Sequence, residues 1–331
     1  MGAQFPSEAS SEGEFERQED AFREWITSEP NAPYPPEPNR YHLYVSLACP
    51  WASRTVIARH IKGLPDTIGL TVVDPVRDER GWAFRDGPGH SSDPINNFSF
   101  LSEAYRAADP HFDGRVTVPV LWDKKSRRIV NNSEDDICHL FNSAFPAARN
   151  TGADLFPESI STQHTELSDF LYQNINNGVY RAGFATSQRA YERACRKLFD
   201  ALDEMEGRLT DQRFLFGDII VDADWKFFCT LIRFDAVYHG HFKCNIRRII
   251  DYPALDAYLR DLYQQPGIAA TVNLDHIKRH YYITHTEINP TQIVPIGPIL
   301  DLNRPHDRAQ LSRAASPLHS SQYGSLATDR S

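Results

Sequence analysis

Residues 41–63, which read YHLYVSLACPWASRTVIARHIKG, decide the fold predicted for this chain. From Tyr41 to Ser46, aromatic and β-branched residues alternate roughly with polar ones, which predicts a β-strand. Pro50 suits the first position of a helix, because its missing N–H would have no partner there, and Gly63 ends that helix. The stretch therefore predicts a strand followed at once by a helix, with Cys49 at the junction.

Cys49 is the candidate nucleophile of the chain. The unpaired N–H groups and the positive dipole end of a helix N-terminus both favour a thiolate over a thiol. A strand, a Cys-Pro-x-x motif and a helix form the layout of a thioredoxin-like redox site, but Ala52 occupies the position of the second cysteine in dithiol proteins. We therefore expect Cys49 to form a mixed disulfide with a small external thiol. The alternative is a buried, inert cysteine.

The predicted N-terminal domain, residues 41–150, has the order βαβ-ββα of a thioredoxin-like fold. After the first strand and helix we expect a buried parallel strand, two strands of a hairpin and a helix, at residues 68–73, 116–122, 128–130 and 134–145. A long insertion at about residues 77–115, rich in Gly, Pro, Asp and Asn, is expected to form a wall of the site or an interface.

Val118-Pro119 stands at the start of the third predicted strand, where a trans proline would be awkward in a sheet. We predict a cis peptide bond, which in thioredoxin-like folds leaves the backbone of the preceding residue free to pair with a bound thiol peptide. The alternative is a trans proline on an edge strand.

The other segments complete the domain organisation. The periodicity becomes helical from residue 151 and predicts an all-α domain to residue 302, with helices at 161–175, 187–209, 222–238 and 253–264. Residues 1–40 are predicted to be an extension and linker, in which Phe15, Phe22, Trp25 and Ile26 could dock a short amphipathic helix and residues 30–38 form a Pro-rich linker. Residues 303–331 are predicted to be a disordered tail.

Composition excludes several classes of function. Lys and Arg number 35 against 44 Asp and Glu, so the net charge of −9 argues against a nucleic-acid partner. No stretch approaches the roughly 20 apolar residues of a membrane span, and no secretory signal is recognisable, so we expect a cytoplasmic protein with no membrane partner. Five cysteines without paired spacing fit a reducing compartment and argue against a disulfide framework and a zinc site.

Six motifs in order over residues 15–301 carry a family resemblance. They read YHLYVSLACPWASR, GRVTVPVLWDKK, NNGVYRAGFATSQ, HFKCN, NLDHIKRHYY and INPTQIVPIGP. The chain resembles the glutathionyl-hydroquinone reductases, an omega-like (Xi) class of the glutathione transferases. The resemblance implies the glutathione transferase fold, an α/β thioredoxin-like domain followed by an all-α domain. It also implies a homodimer that uses glutathione as co-substrate, an aromatic or quinone substrate and no metal.

The resemblance also assigns roles to three tyrosines. In the family the tyrosine matching Tyr180 donates or accepts a proton, and those matching Tyr238 and Tyr281 help to lower the pKa of the cysteine that matches Cys49. A phenol can do both, because it donates a proton or hydrogen-bonds a thiolate. Since the chain holds 14 tyrosines, the alternative for each is an ordinary core aromatic.

The glutathione site implied by the resemblance lies near the predicted cis-proline. Trp82 matches a family tryptophan that packs beside glutathione, and four consecutive residues match the segment that holds the carboxylate and the cysteinyl amides: Arg115, Val116, Thr117 and Val118. The family then grips the γ-glutamyl group with a Glu-Ser pair. Here the order is inverted to Ser133-Glu134, and we expect weakened or repositioned glutathione binding. A solvated surface arginine is the alternative for Arg115, and a helix cap with dipole-complementing charge is the alternative for the pair.

The function implied is reductive deglutathionylation of a glutathionyl-hydroquinone through a disulfide between Cys49 and glutathione. Two alternatives stay open. One is another enzyme on the same scaffold: a thioltransferase, a dehydroascorbate reductase, or a transferase that adds glutathione to quinones in aromatic secondary metabolism. The other is a non-catalytic carrier of aromatic ligands, which the inverted Ser133-Glu134 pair suggests.

Overall fold

The computed structural model describes residues 19–314. The sheet of the first domain has the strand order β2-β1-β3-β4, with strands β1 (Tyr41–Val45), β2 (Gly69–Val72), β3 (Val120–Asp123) and β4 (Arg128–Asn131). β2 pairs parallel with β1, whereas β3 runs antiparallel to both β1 and β4. All five residues of β1 are buried, because this strand is central in the sheet. The predicted parallel strand and hairpin are confirmed.

Three helices accompany the sheet, namely α1 (Pro50–Ile61), α2 (Leu101–Ala108) and α3 (Glu134–Ser143). α1 packs against α3, and α2 packs against β4. The sequence predicted α1 and α3 but not α2, which lies inside the insertion at 77–115. The buried residues of α2, Leu101, Ala104, Tyr105 and Ala108, do follow the i, i+3, i+4, i+7 spacing of a helix. The helix has only eight residues, however, and it lies within an insertion whose Gly, Pro, Asp and Asn content predicted irregular structure.

The second domain is all-α, as predicted. Its helices are α4 (Ser161–Leu171), α5 (Gly178–Gly183), α6 (Gln188–Asp211), α7 (Asp222–Arg233), α8 (Pro253–Tyr263) and α9 (Leu274–Thr284). A π-helical turn follows α4 at Tyr172–Asn176 and another follows α7 at Phe234–Tyr238. All twelve residues of α7 are buried, and α7 packs against α1, so it joins the two domains. None of the helices in residues 19–314 has the length and apolar character needed to cross a bilayer.

The N-terminal segment differs from its prediction. The sequence predicted an amphipathic helix around Phe22, Trp25 and Ile26, but the chain is extended at these three residues, so that prediction is wrong. Phe15, which was part of the same prediction, lies outside the described residues. Arg23 forms a bridge with Asn131, so the segment adds to the open edge of β4. Pairing satisfies backbone groups that an open strand edge would leave without partners.

The tail also needs a correction. Residues 303–314 were predicted to be disordered, but they end in a helix, α10 (Ala309–Ala314), and Arg308 is buried against the helical domain. Its guanidinium donates to the carbonyl oxygens of Leu209 (3.0 Å) and Arg213 (3.1 Å from Nε). The polar composition of this stretch predicted disorder. The contact could not be predicted from it, because the carbonyl groups that Arg308 binds lie about a hundred residues earlier in the chain. The rest of the predicted tail, 315–331, lies outside the described residues.

Candidate functional site

Cys49 lies at the N-cap of α1, immediately before Pro50. Its Sγ approaches the carbonyl oxygen of Val118 at 3.7 Å, and its backbone N–H donates to the carbonyl of Ser46 at 3.1 Å. Cys49 is partly buried, whereas the four other cysteines are fully buried. The thiol is therefore the accessible one of the five, at the end of the helix where a thiolate is electrostatically favoured.

The segment before β3 faces Cys49. The Val118-Pro119 peptide bond is cis, which confirms the prediction. Tyr105 of α2 anchors this segment, because its hydroxyl donates to the carbonyl oxygen of Thr117 at 2.9 Å and accepts from the N–H of Thr117 at 3.2 Å. The unpredicted helix α2 thus holds in place the backbone that the thiol faces.

A cleft opens beside the thiol, between the two domains. Eight of the eleven residues predicted for the site line it together: Cys49, Trp82, Arg115, Val116, Thr117, Val118, Tyr180 and Tyr281. Residues 19–21, Trp51, Arg77, Asn132, Asn177, His280 and His285 also contribute to its walls. The cleft therefore combines a thiol, two arginines, two acidic residues (Glu19 and Asp20) and several aromatic rings. Such a mixture suits a charged peptide that carries an aromatic group.

The three predicted tyrosines form one hydrogen-bonded cluster. The hydroxyl of Tyr281 lies 2.5 Å from that of Tyr180 and 3.0 Å from that of Tyr238. Tyr180 lines the cleft, and Tyr238 lies behind Tyr281 without reaching the cleft wall. Burial raises the pKa of Tyr180, and the nearby Cys49 charge raises it further. Burial also raises the pKa of Tyr238 and Tyr281 well above the usual value, so the cluster is neutral and can donate protons.

Trp51 was not predicted as a site residue, although it follows the Cys-Pro pair directly. Its ring stacks on that of Tyr180, with the centroids 6.1 Å apart and an interplanar angle of 26°. On another side its ring lies 5.8 Å from Tyr172. These rings give the cleft a flat aromatic wall next to the thiol. The position in the motif, one residue after Pro50, is the signal that could have identified it.

Trp82 is surrounded by two unpredicted cleft residues. The guanidinium carbon of Arg77 lies 4.9 Å from the centroid of the Trp82 ring, and the His280 ring stacks on Trp82 with centroids 5.0 Å apart. Burial lowers the pKa of His280 to about 3, so its imidazole is neutral, and Nδ1 donates to the carbonyl of Pro75 at 2.8 Å. Arg77 therefore adds a second cation to that of Arg115. No local motif marks it, because it lies in the irregular insertion.

Ser133 and Glu134 do not line the cleft. Both are 5% exposed at the start of α3, where the Ser133 hydroxyl accepts from the N–H of Asp136 and caps the helix. Their neighbour Asn132 does reach the cleft wall. The alternative considered for the pair, a helix cap, therefore describes Ser133, while a direct role of either side chain in glutathione binding stays a prediction.

Among residues 19–314, no group of three or more His, Cys, Asp and Glu side chains is arranged to hold a metal ion. The polar groups of the cleft described above are instead suited to an organic ligand.

Comparison with known proteins identifies the family. Residues 48–144 match the glutathione S-transferase N-terminal domain, and residues 188–261 match the glutathione S-transferase C-terminal domain. The chain is 49% identical over 307 residues to the glutathionyl-hydroquinone reductase YqjG of Escherichia coli K12, covering 90% of this chain and 93% of that protein. The chain belongs to the glutathionyl-hydroquinone reductase family of glutathione S-transferases.

Other members agree with this assignment. The chain is 46% identical to the glutathionyl-hydroquinone reductase PcpF of Sphingobium chlorophenolicum, covering 87% of this chain and 91% of that protein. The glutathione-bound structure of YqjG is similar at a TM-score of 0.85 and 49% identity, with 87% of this chain and 96% of that chain covered. The predicted glutathione transferase fold is therefore confirmed.

Proposed function

We propose that this protein reduces glutathionyl-hydroquinones with glutathione as co-substrate. The observation that carries the proposal is the accessible Cys49 thiol at the N-terminus of α1, which faces the backbone of Val118 and lies in the same cleft as Tyr180. Relatives that match over about nine-tenths of the chain are named glutathionyl-hydroquinone reductases. A nucleophile, a proton donor and a peptide-binding backbone are the groups that this reaction needs.

The first step forms a disulfide. The Cys49 thiolate attacks the glutathione sulfur of the substrate, and the bond between that sulfur and the aromatic carbon breaks. The electron pair of the broken bond goes to the ring carbon, which takes a proton from Tyr180. The products of this step are a hydroquinone and Cys49 joined to glutathione.

The second step regenerates the thiol. A second glutathione thiolate attacks the glutathione sulfur of the mixed disulfide and releases oxidised glutathione, which leaves Cys49 as the thiolate. Tyr180 regains its proton from the solvent or from the incoming thiol. The sum of both steps is one glutathionyl-hydroquinone plus one glutathione giving one hydroquinone plus one oxidised glutathione, so no other oxidant or reductant is needed.

Glutathione binding is assigned to the side of the cleft around Val118 and Trp82. The N–H and C=O groups of Val118 would pair with the cysteinyl amides, and the guanidinium groups of Arg115 and Arg77 suit the carboxylates of the tripeptide. Thr117 and Val116 continue this segment, and Ser133 with Glu134 remain the predicted contacts of the γ-glutamyl group. The support for this side is its two cations and its adjacency to the thiol.

The hydroquinone ring is assigned to the opposite side, against Trp51 and Tyr180. Rings that stack within about 7 Å gain roughly 0.5–1.5 kcal/mol beyond their burial, and the two side chains already stack on each other at 6.1 Å. A flat phenolic ring placed there would have its carbon–sulfur bond between Cys49 and Tyr180.

We also propose that the protein is a cytoplasmic homodimer. The family resemblance supports the dimer. The five cysteines, which form no disulfide among the described residues, and the use of glutathione as reductant suit a reducing compartment. Light scattering after size-exclusion chromatography tests the dimer: a mass of about twice 37.7 kDa supports it, and a monomer mass removes it.

The test of the proposed function is mass spectrometry of the intact protein after reaction with a glutathionyl-hydroquinone and no free glutathione. We expect one glutathione adduct on Cys49 and one equivalent of released hydroquinone, and the adduct should disappear when glutathione is added. The matched control is Cys49→Ser, which should form no adduct and lose turnover. Turnover that persists in this variant, or hydroquinone released without an adduct, would contradict the disulfide mechanism.

A further inference from the structure

A buried arginine from the helical domain contacts the backbone that precedes the nucleophile. Arg233 is the last residue of α7 and is 1% exposed. Its Nε donates to the carbonyl oxygen of Ala48 at 2.9 Å, and Nη2 donates to that of Leu47 at 2.9 Å. Nη2 also donates to the hydroxyl of Ser53, in the first turn of α1, at 2.6 Å. Arg233 therefore bonds to the chain on both sides of Cys49.

The hydrogen-bond acceptors of Arg233 are all neutral. Besides the groups above, Nη1 donates to the carbonyl oxygen of Cys229 at 2.7 Å. Partial dipoles stabilise the guanidinium, but they do not cancel its net charge, and solvent screens a buried charge weakly. The positive charge therefore acts on groups around the cleft.

The tyrosine cluster shows how far this charge acts. Burial raises the pKa of Tyr238 and of Tyr281 well above the usual value, and the charge of Arg233 opposes that rise in both. Burial and the Cys49 charge raise the pKa of Tyr180, and Arg233 opposes that rise too. An arginine that acts on Tyr180, next to Cys49, also favours a negative charge on the Cys49 sulfur.

We propose that Arg233 is the positioning residue of Cys49: it fixes the backbone next to the thiol and supplies a buried positive charge that favours the thiolate. Since Arg233 belongs to the second domain, the nucleophile is complete only when the two domains are docked.

Arginine fits this role better than lysine. Its planar group directs several N–H donors at fixed angles, so that Nε and Nη2 can hold two neighbouring carbonyls at once. A lysine at position 233 would keep the charge but hold fewer of these acceptors. The Arg233→Lys variant therefore separates the effect of charge from the effect of geometry.

The inference rests on Cys49 being the nucleophile of the proposed function, but its first readout, the alkylation of the thiol, does not depend on that reaction. Alkylation by iodoacetamide measures the reactivity of the Cys49 thiol without any substrate, and the other four cysteines are buried. The Cys49→Ser variant gives the background. If the proposed function is wrong and Arg233 still controls the thiol, turnover assays fail while the alkylation result stands.

The experiment measures the alkylation rate of the full chain from about pH 5 to pH 10 in Arg233→Met, Arg233→Lys and the wild type. For Arg233→Met we expect an alkylation rate at pH 7 that is at least about tenfold lower than that of the wild type. The curve of alkylation rate against pH should shift by about one unit to higher pH. For Arg233→Lys we expect a curve of alkylation rate against pH that is close to that of the wild type. The kcat for glutathionyl-hydroquinone reduction should still be about tenfold lower, because the thiol is misplaced.

The matched control is Arg260→Met. Arg260 is 7% exposed on α8 and also donates to a backbone carbonyl, that of Arg304 at 3.0 Å, but it does not line the cleft. This variant should keep the wild-type alkylation profile. A folded Arg233→Met protein with an unchanged profile would overturn the proposal. Should Arg233→Met fail to fold, Arg233→Lys decides, and a kcat equal to that of the wild type would overturn it.

Discussion

The hydroxyl group of Tyr180 lies within hydrogen-bond distance of that of Tyr281, so the phenol at the cleft wall is linked to one buried behind it. Tyr281 in turn contacts Tyr238 at 3.0 Å. In the proposed reaction Tyr180 gives up a proton to the departing ring, and the Tyr281 hydroxyl would then donate to the resulting phenolate. This hydrogen bond, which an isolated phenol would lack, would stabilise the deprotonated form of Tyr180.

Tyr180→Phe should lower turnover of a glutathionyl-hydroquinone by about 10²- to 10⁴-fold, the usual contribution of a general acid. The same variant should keep thiol–disulfide exchange with a small disulfide, because a thiolate leaving group needs no proton donor. Steady-state kinetics with both substrates measure the difference. Tyr263→Phe, a partly buried tyrosine that does not line the cleft, is the control. Equal losses with both substrates would argue against proton donation by Tyr180.

Exchanging Ser133→Glu together with Glu134→Ser restores the order that the family resemblance implies. If the pair contacts the γ-glutamyl group as proposed, the exchange places a carboxylate at position 133, which can accept from the α-amine, and a hydroxyl at position 134, which can donate to the α-carboxylate. We expect glutathione to bind about tenfold more tightly, as one added hydrogen bond to a charged group allows. Isothermal titration calorimetry measures the affinity, and an unchanged affinity would show that the inverted order is tolerated.

The same exchange has a cost in stability, because Ser133 caps α3 by accepting from Asp136. Loss of such a cap typically costs about 1 kcal/mol. Ser133→Ala is the matched control: it removes the cap without restoring the pair, so it should lower the melting temperature but leave the glutathione affinity unimproved.

Buried histidines should make the protein acid-sensitive. Burial lowers the pKa of His42 and His241 to about 4 and that of His280 to about 3, and it lowers the pKa of His285 well below the usual value. Between about pH 6.5 and pH 4 the unfolded chain therefore binds more protons than the native protein at these sites. The free energy of unfolding should fall as the pH falls through this window.

His280→Gln tests one of these contributions, since a glutamine amide can still donate to the carbonyl of Pro75. Its free energy of unfolding should decline less than that of the wild type from pH 7.5 to pH 5, by up to about 2 kcal/mol. Urea unfolding at both pH values measures this. The control is His111→Gln, which replaces an exposed histidine. Its free energy of unfolding should fall by the same amount as that of the wild type between the two pH values. An identical decline in all three proteins would contradict the assignment.

The sequence predicted those features of the fold that are determined by residues close together in the chain. Cys49 could be placed at a helix start because Pro50 and Gly63 mark the ends of α1, and the cis bond before Pro119 followed from a proline at a strand start. Tyr180 and Tyr281 needed the family resemblance, because nothing near either residue distinguishes it from an ordinary core tyrosine.

Features that depend on distant contacts could not be predicted. The N-terminal segment is extended because Arg23 bridges to Asn131, more than a hundred residues later, and its own apolar spacing suggested a helix. Arg233 reads as a polar residue near the end of a helix, and only its contact with Ala48 shows what it holds. In both cases the partner is separated too far in sequence for a pattern to reveal it.

A last prediction concerns the ion pair that joins the domains. Arg54 of α1 and Asp222 at the start of α7 pair at 3.0 Å, and both are 2% exposed. Asp135 of α3 also pairs with Arg54, and it lies 3.1 Å from Lys226. Removing one partner of a buried pair leaves an uncompensated charge in a weakly polar interior, which typically costs about 3–5 kcal/mol.

Asp222→Ala should therefore lower the free energy of unfolding by about 3 kcal/mol, toward the low end because Asp135 still faces the guanidinium. Urea unfolding measures the loss. The control is Asp251→Ala, which breaks a 2.7 Å pair with Arg248 on the exposed surface. This change should cost much less, because water solvates both separated charges. Similar losses in the two variants would mean that burial adds nothing to the interdomain pair, and that apolar packing of α7 on α1 alone holds the domains together.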